Sequence, residues 1–138
     1  MAAKDLYHDL VKEALIQDGW TITHDPLHLR WGKRDFYVDL GAQQILGAEK
    51  DDTLIAVEIK SFISYSSIRD LEVAVGQYMV YLKLLQKLEP HRILYLAVKS
   101  SVFESIFSEP IGKLMQEELN IKCLIFDENT ITIEKWIN

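Results

Sequence analysis

The segment Leu54-Ile55-Ala56-Val57-Glu58-Ile59-Lys60 sets a carboxylate and an ammonium two residues apart in an otherwise aliphatic run. Branched aliphatics with strong β preference make this run a predicted strand with little exposure. Successive strand side chains point to opposite faces, so Glu58 and Lys60 share one face and Val57 and Ile59 the other. Charges are rarely put on such a strand unless they are paired or used. One use is hydrolysis of a phosphodiester, in which a divalent metal activates water and neutralises charge developing on phosphorus. Carboxylates suit Mg²⁺ (or Mn²⁺), and Mg²⁺ keeps several waters and needs only one or two protein carboxylates. A lysine beside them can orient the attacking water or stabilise the transition state. Asp39 follows the apolar stretch Phe36-Tyr37-Val38 and joins Glu58 as a candidate metal ligand, with Lys60 as the catalytic cation. The plain alternative is a Glu58–Lys60 salt bridge on the solvent face of an edge strand.

Other residues could complete such a centre. Glu13 lies at the border of the apolar stripe of the first predicted helix, from which a carboxylate can reach the sheet. Gln77 and Tyr81, four apart, share a face of a later helix whose neighbours are almost wholly apolar. A buried amide must find hydrogen-bond partners, and Gln77 could orient a ligand carboxylate or touch a phosphate. The run His28-Leu29-Arg30-Trp31-Gly32-Lys33-Arg34 is the basic and aromatic cluster of the chain. As a loop ahead of the Asp39 strand, it makes Arg30, Lys33 and Arg34 candidates for holding a DNA backbone, with Tyr81. His24 and His28 lack further ligands at zinc-like spacing. No P-loop, Rossmann glycine pattern or nucleophile elbow is present.

The elements that must position these residues are legible along the chain. Residues 3–18 read as an amphipathic helix with Leu6, Tyr7, Leu10 and Ala14 near one stripe and Asp5, His8, Asp9 and Lys12 opposite, stopped by Gly19. Strands are predicted at 20–23, 36–40, 44–49 and 54–60, the last entered through Asp51-Asp52. A long helix spans about 67–88, with Ser67 as N-cap and Asp70 in its first turn. The nearly continuous apolar run 93–98 marks a central strand covered on both faces. Ser101-Val102-Phe103-Glu104 fits a capping box, a further helix spans about 110–119, and strands at 121–126 and 131–136 close the chain. The order α-β-β-β-β-α-β-α-α-β-β implies a mixed α/β sheet with helices on both faces.

Composition bounds the alternatives. At 138 residues with 49% hydrophobic residues, the chain is expected to be a single packed domain, residues 1–138. No apolar segment is long enough to span a bilayer and the first residues lack a signal-peptide core, so a cytoplasmic protein without a membrane partner is expected. The lone Cys123 sits in an apolar run and reads as a small buried hydrophobe. The net charge of −6 argues against a broad nucleic-acid-binding surface, so a local basic patch with metal ions, or a protein partner, must supply DNA affinity.

The acid on the first helix, Asp39, Glu58-Ile59-Lys60 and Gln77-x-x-x-Tyr81 together resemble the PD-(D/E)xK restriction-endonuclease-like superfamily. That resemblance implies an α-β-β-β-α-β core with C-terminal additions, and a catalytic set of Glu13, Asp39, Glu58, Lys60 and Gln77. Val38 stands where the motif has proline, and the long segment between Asp39 and Glu58 leaves Glu49 as an alternative second acid. Across essentially the whole chain, the runs Lys4-Asp5-Leu6-Tyr7-His8, Tyr37-Val38-Asp39-Leu40-Gly41-Ala42, Val57-Glu58-Ile59-Lys60-Ser61-Phe62 and Gly76-Gln77-Tyr78 resemble the XisH family, the cyanobacterial fdxN element excision controlling factors. This implies developmentally programmed excision of a DNA element during heterocyst differentiation, with DNA, a site-specific recombinase and an XisI-like controlling factor as partners. Two functions stay open: an Mg²⁺-dependent endonuclease or nickase, and a non-catalytic control module on the same fold. Self-association into a homo-oligomer is also left open.

Overall fold

The computed structural model describes residues 5–44 and 53–138. Helix α1 (His8–Gln17) is followed by β1 (Thr21–His24), β2 (Leu27–Trp31), β3 (Arg34–Val38), β4 (Leu40–Gln44) and β5 (Thr53–Ile59). Helix α2 (Ser67–Leu88), β6 (Arg92–Lys99), α3 (Ser100–Glu104), a 3₁₀ turn (Ile106–Ser108), α4 (Pro110–Glu118), β7 (Cys123–Asp127) and β8 (Thr132–Ile137) complete the chain.

Among the described residues, six strands form one mixed sheet in the order β1-β4-β5-β6-β7-β8. The inner pairs β5–β6 and β6–β7 are parallel, and the flanking pairs β1–β4, β4–β5 and β7–β8 are antiparallel. Strands β2 and β3 form a separate antiparallel hairpin. Alternation along the inner strands builds two cores. Ile55, Val57, Ile59, Tyr95, Ala97, Leu124 and Phe126 pack with Val11, Leu15 and Trp20 on the α1 side. Ala56, Leu94, Leu96, Val98, Cys123 and Ile125 pack with Leu71, Ala74, Tyr78 and Leu85 of α2 and with Leu27 and Leu29 of the hairpin on the other. Helices thus cover both faces, as the continuous apolar run of β6 predicts.

Tyr78 shows how tightly α2 is seated. Its hydroxyl donates to Leu94 O and accepts from Lys122 N, both at 3.1 Å, and burial raises its pKa to about 12. Cys123 is a free, fully buried thiol, pushed up to about 12 by burial. Among the described residues, no helix is long and apolar enough to cross a membrane.

Several local expectations are corrected. The buried face of α1 is His8, Val11, Ala14 and Leu15, a stripe rotated from the expected one, while Leu6 is exposed and precedes the helix, which begins at His8. The stretch 28–34 is not a loop but most of the β2–β3 hairpin, turning at Gly32, whose φ of +61° suits glycine. Among the described residues, five strands, rather than four, therefore separate α1 from α2. Residues 36–40 do not form one strand, because Asp39 separates β3 from β4. The strand expected at 44–49 lies almost wholly outside the described residues. Ser66, not Ser67, caps α2 by accepting from Arg69 N at 3.2 Å. Ser101 lies inside α3, since β6 runs straight into that helix and leaves no residue free to cap it.

Candidate active site

Strand β5 is hydrogen-bonded on both edges, with Val57 opposite Leu40 of β4 and Glu58 opposite Leu96 of β6. Both of its faces are covered, so Glu58 is only 5% exposed although it is an acid. It points to the α2 side, since its neighbours Val57 and Ile59 belong to the α1 core. There α2 supplies Gln77 and Tyr81, one turn apart.

Asp39 is the one residue between β3, which belongs to the hairpin, and β4, which belongs to the main sheet. Its backbone N–H donates to Glu58 Oε1 at 3.3 Å, and its Oδ2 accepts from Ile59 N at 2.8 Å. Lys60 Nζ lies 3.3 Å from Glu58 Oε2, while its backbone N–H donates to Ala97 O at 3.1 Å. Asp39, Glu58, Ile59, Lys60, Gln77 and Tyr81, with Asp5 and Tyr37, line a cleft of about 140 Å³.

The electrostatics follow from placing two acids in a poorly solvated cleft. Burial first, and the Asp39 charge second, raise the Glu58 pKa to about 8 despite the opposing attraction of Lys60. Asp39 is also shifted up by burial, against the pull of the Ile59 N–H, His8 and Lys60. Tyr81 is held at about 12 by burial and by the two carboxylates, so its hydroxyl is a donor and not a base near neutrality. Gln77 Oε1 is buried without a hydrogen-bond partner, which marks it as an acceptor awaiting one.

A second tier of side chains braces Asp39. His8, 3% exposed, has Nε2 2.6 Å from Asp25 Oδ1, and its Nδ1 lies 3.9 Å from Asp39 Oδ1 without a hydrogen bond. Lys12 Nζ donates to the other Asp25 oxygen at 2.7 Å. Burial would raise Asp25, but Lys12 and His8 hold it below the usual carboxylate range. An ionised Asp25 accepts from His8 Nε2, leaving Nδ1 as the ring nitrogen that faces the site.

The donor set fits a hard divalent cation. Among the described residues, no three of His, Cys, Asp and Glu converge on one point. A cation would therefore rest on Asp39 and Glu58 with water completing its shell, which is the ligation habit of Mg²⁺. Burial first, and the Asp39 charge second, raise the pKa of Glu58, and a cation bound there would oppose both effects.

The sequence candidates divide cleanly. Asp39, Glu58, Lys60, Gln77 and Tyr81 line one cleft. Glu13 does not join them: it is exposed on α1 and accepts from Gln17 Nε2 at 3.4 Å. The N-terminal acid in the cleft is Asp5, whose Oδ2 accepts from Ser61 N at 3.0 Å and whose Oδ1 accepts from Tyr7 N. Arg30, Lys33 and Arg34 are exposed on the hairpin, where Arg30 pairs with Asp35 at 3.4 Å. Glu49 lies outside the described residues. Asp5, His8, Asp25 and Tyr37 escaped sequence reasoning. Asp5, His8 and Tyr37 fall in runs that resemble the XisH family, whereas Asp25 carries no such signal.

Comparison with known proteins is consistent across sequence and structure. The XisH family model, described as XisH protein, matches residues 1–134. The crystal structure of an XisH family protein from Nostoc punctiforme PCC 73102 superposes with a TM-score of 0.88 at 36% identity, covering 97% of this chain and 100% of that one. A fdxN element excision controlling factor protein from Anabaena variabilis gives a TM-score of 0.87 at 37% identity, with 98% and 100% covered. No functionally curated protein matches the chain. With one family model spanning nearly every residue and two family structures sharing the fold end to end, this chain belongs to the XisH family.

Proposed function

We propose that this protein is a divalent-metal-dependent DNA endonuclease or nickase. It acts in programmed excision of a DNA element beside a site-specific recombinase and an XisI-like controlling factor. The observation that carries the activity is the meeting of Asp39, Glu58 and Lys60 in one cleft, faced by Gln77 and Tyr81. The same residues in the same chain order resemble the PD-(D/E)xK pattern, with Val38 in the place of its proline. The excision role rests on the Anabaena variabilis relative, a fdxN element excision controlling factor protein.

Asp39 and Glu58 would hold Mg²⁺ or Mn²⁺, whose contribution when bound is Lewis-acid charge at the scissile phosphate and a more acidic attacking water. The chain's own groups do the rest. The ionised form of Glu58 would be favoured by a bound cation, which would add positive charge beside a carboxyl whose pKa burial raises. Lys60 is held by Glu58 at the cleft and its side chain is 23% exposed, so its ammonium can donate to water or to a phosphate oxygen. Gln77 accepts from the nucleophile or its shell through the unpartnered Oε1. Tyr81 donates to a phosphate oxygen and excludes bulk water.

Plasmid nicking with Mg²⁺ or Mn²⁺ tests this reading. Glu58→Ala and Lys60→Ala should each lower the rate by a factor on the order of 10² or more. Equal nicking by all three proteins would sink the catalytic reading. The net charge of −6 favours one rival, a control module on this fold that binds an XisI-like factor, a recombinase or DNA without cutting. That rival gains if the wild type nicks with neither metal.

A further inference from the structure

A second groove, of about 760 Å³, lies between the tip of the β2–β3 hairpin and the C-terminal half of α2. Met79, Val80 and Leu84 form an apolar floor, Trp31 a wall, and Lys83 and Lys87 a rim. Leu27, Leu29 and Trp31 share one face of β2, and the first two are buried in the core. The hairpin tip runs past that core, so Trp31 is 52% exposed, and Val80 below it is 48% exposed.

Charge around this groove is one-sided. Arg34 pairs with Trp31 across the hairpin and so shares its face, with Lys33 in the turn between them. Among the described residues, Lys33, Arg34, Lys83 and Lys87 make no ion pair or side-chain hydrogen bond. Four uncompensated cations around an open indole, on a chain of net charge −6, complement a polyanion that also presents flat apolar faces. Nucleic acid bases present such faces only where they are unpaired, and stacking on aromatic rings beside a cationic track is how single strands are held.

The acidic cleft is built on the same two elements but from other faces of them: Tyr37 shares β3 with Arg34, and Tyr81 shares α2 with Lys83 and Lys87. We infer that the groove binds an unpaired segment of DNA, with a base stacked on Trp31 and phosphates on Lys33, Arg34, Lys83 and Lys87. The inference rests on the DNA reading above and narrows its substrate to DNA with a single-stranded or distorted stretch.

Fluorescence anisotropy with a single-stranded 12-mer and a blunt duplex, metal-free, measures this apart from cleavage. Trp31→Ala should weaken single-strand binding by a factor of about 5–150 and leave the duplex nearly unchanged, while Trp31→Phe keeps most of the affinity. Lys83→Glu with Lys87→Glu should weaken binding and flatten its log–log salt dependence by about 1.4. Unchanged thermal melting of each variant excludes misfolding. Nicking that depends on Glu58 and Lys60, with single-strand binding indifferent to Trp31 and the lysines, overturns this inference alone. Trp31-dependent single-strand binding in a protein that never nicks upholds it and overturns the endonuclease reading. Conversion of a self-associated wild type to monomer by Trp31→Ala assigns the groove to a second copy and overturns it.

Discussion

The backbone N–H of Asp39 donates to Glu58 Oε1 at 3.3 Å, tying the two acids together before any cation arrives. Burial first, and the Asp39 charge second, raise the Glu58 pKa to about 8, and Asp39 is shifted the same way. Two acids this close titrate as a pair, and a cation between them would favour the ionised form of both.

Stability should carry the imprint of this pair. The folded pKa of Glu58, about 8, exceeds its ordinary value of 4.5, and Asp39 is shifted the same way. A raised folded pKa means the contribution is complete below the unfolded value and is lost as pH climbs through the folded one. The metal-free protein should therefore melt progressively lower from pH 5 to pH 8.5. Glu58→Gln removes the ionisation and should exceed wild type by about 1–3 kcal/mol at pH 8.5 while matching it near pH 5. Parallel melting curves for the two proteins at both pH values would refute the assignment.

Cation binding should be coupled to the same proton. Loading Mn²⁺ requires both carboxylates ionised, so affinity should rise by up to about tenfold per pH unit below pH 8 and level off above it. Calorimetry in two buffers of different ionisation enthalpy should detect close to one proton released near pH 7. An affinity that does not vary between pH 6 and pH 8 contradicts this.

The Lys12–Asp25–His8 brace should be felt in metal affinity. His8 stands between Asp25 and Asp39 and holds no position in the cleft itself. Loss of such outer support typically costs 10–100-fold in affinity. His8→Gln and Asp25→Asn should each weaken Mn²⁺ binding by about tenfold, with the bound stoichiometry preserved. Unaltered affinity in both variants would reduce the brace to packing.

Glu13 provides the contrasting case. It is exposed and accepts only a long hydrogen bond from Gln17. Glu13→Ala should change stability by less than about 0.5 kcal/mol and leave nicking and Mn²⁺ binding unaltered. A substantial loss of nicking would bring α1 into the chemistry by a route the present geometry lacks.

Much of the site follows from two periodicities. Period-two alternation in β5 puts Glu58 and Lys60 on one face, and the four-residue spacing on α2 puts Gln77 and Tyr81 opposite them. The bounds of α2 and the buried character of β6 follow from caps, dipole residues and a continuous apolar run. The hairpin is less legible, because the charges of His28 and Arg30 mask the alternation of Leu27 and Leu29 that makes a strand. The buried face of α1 lies about one residue out of phase with the stripe expected from its sequence, so His8 is buried and Glu13 is exposed. Asp5 and Asp25 gave no local signal, since their partners Ser61 and His8 lie 56 and 17 residues away.

The single-residue joint between β3 and β4 also sets where the chain can change length. One extra residue at Asp39 would turn every β3 side chain over relative to the main sheet and carry the carboxylate away from Glu58. The Gly32-Lys33 turn at the other end of the same hairpin is exposed and unpaired, so residues added there leave the register intact. A change of chain length should therefore be tolerated at the hairpin tip and not between Tyr37 and Leu40, where one added residue would separate the acid pair.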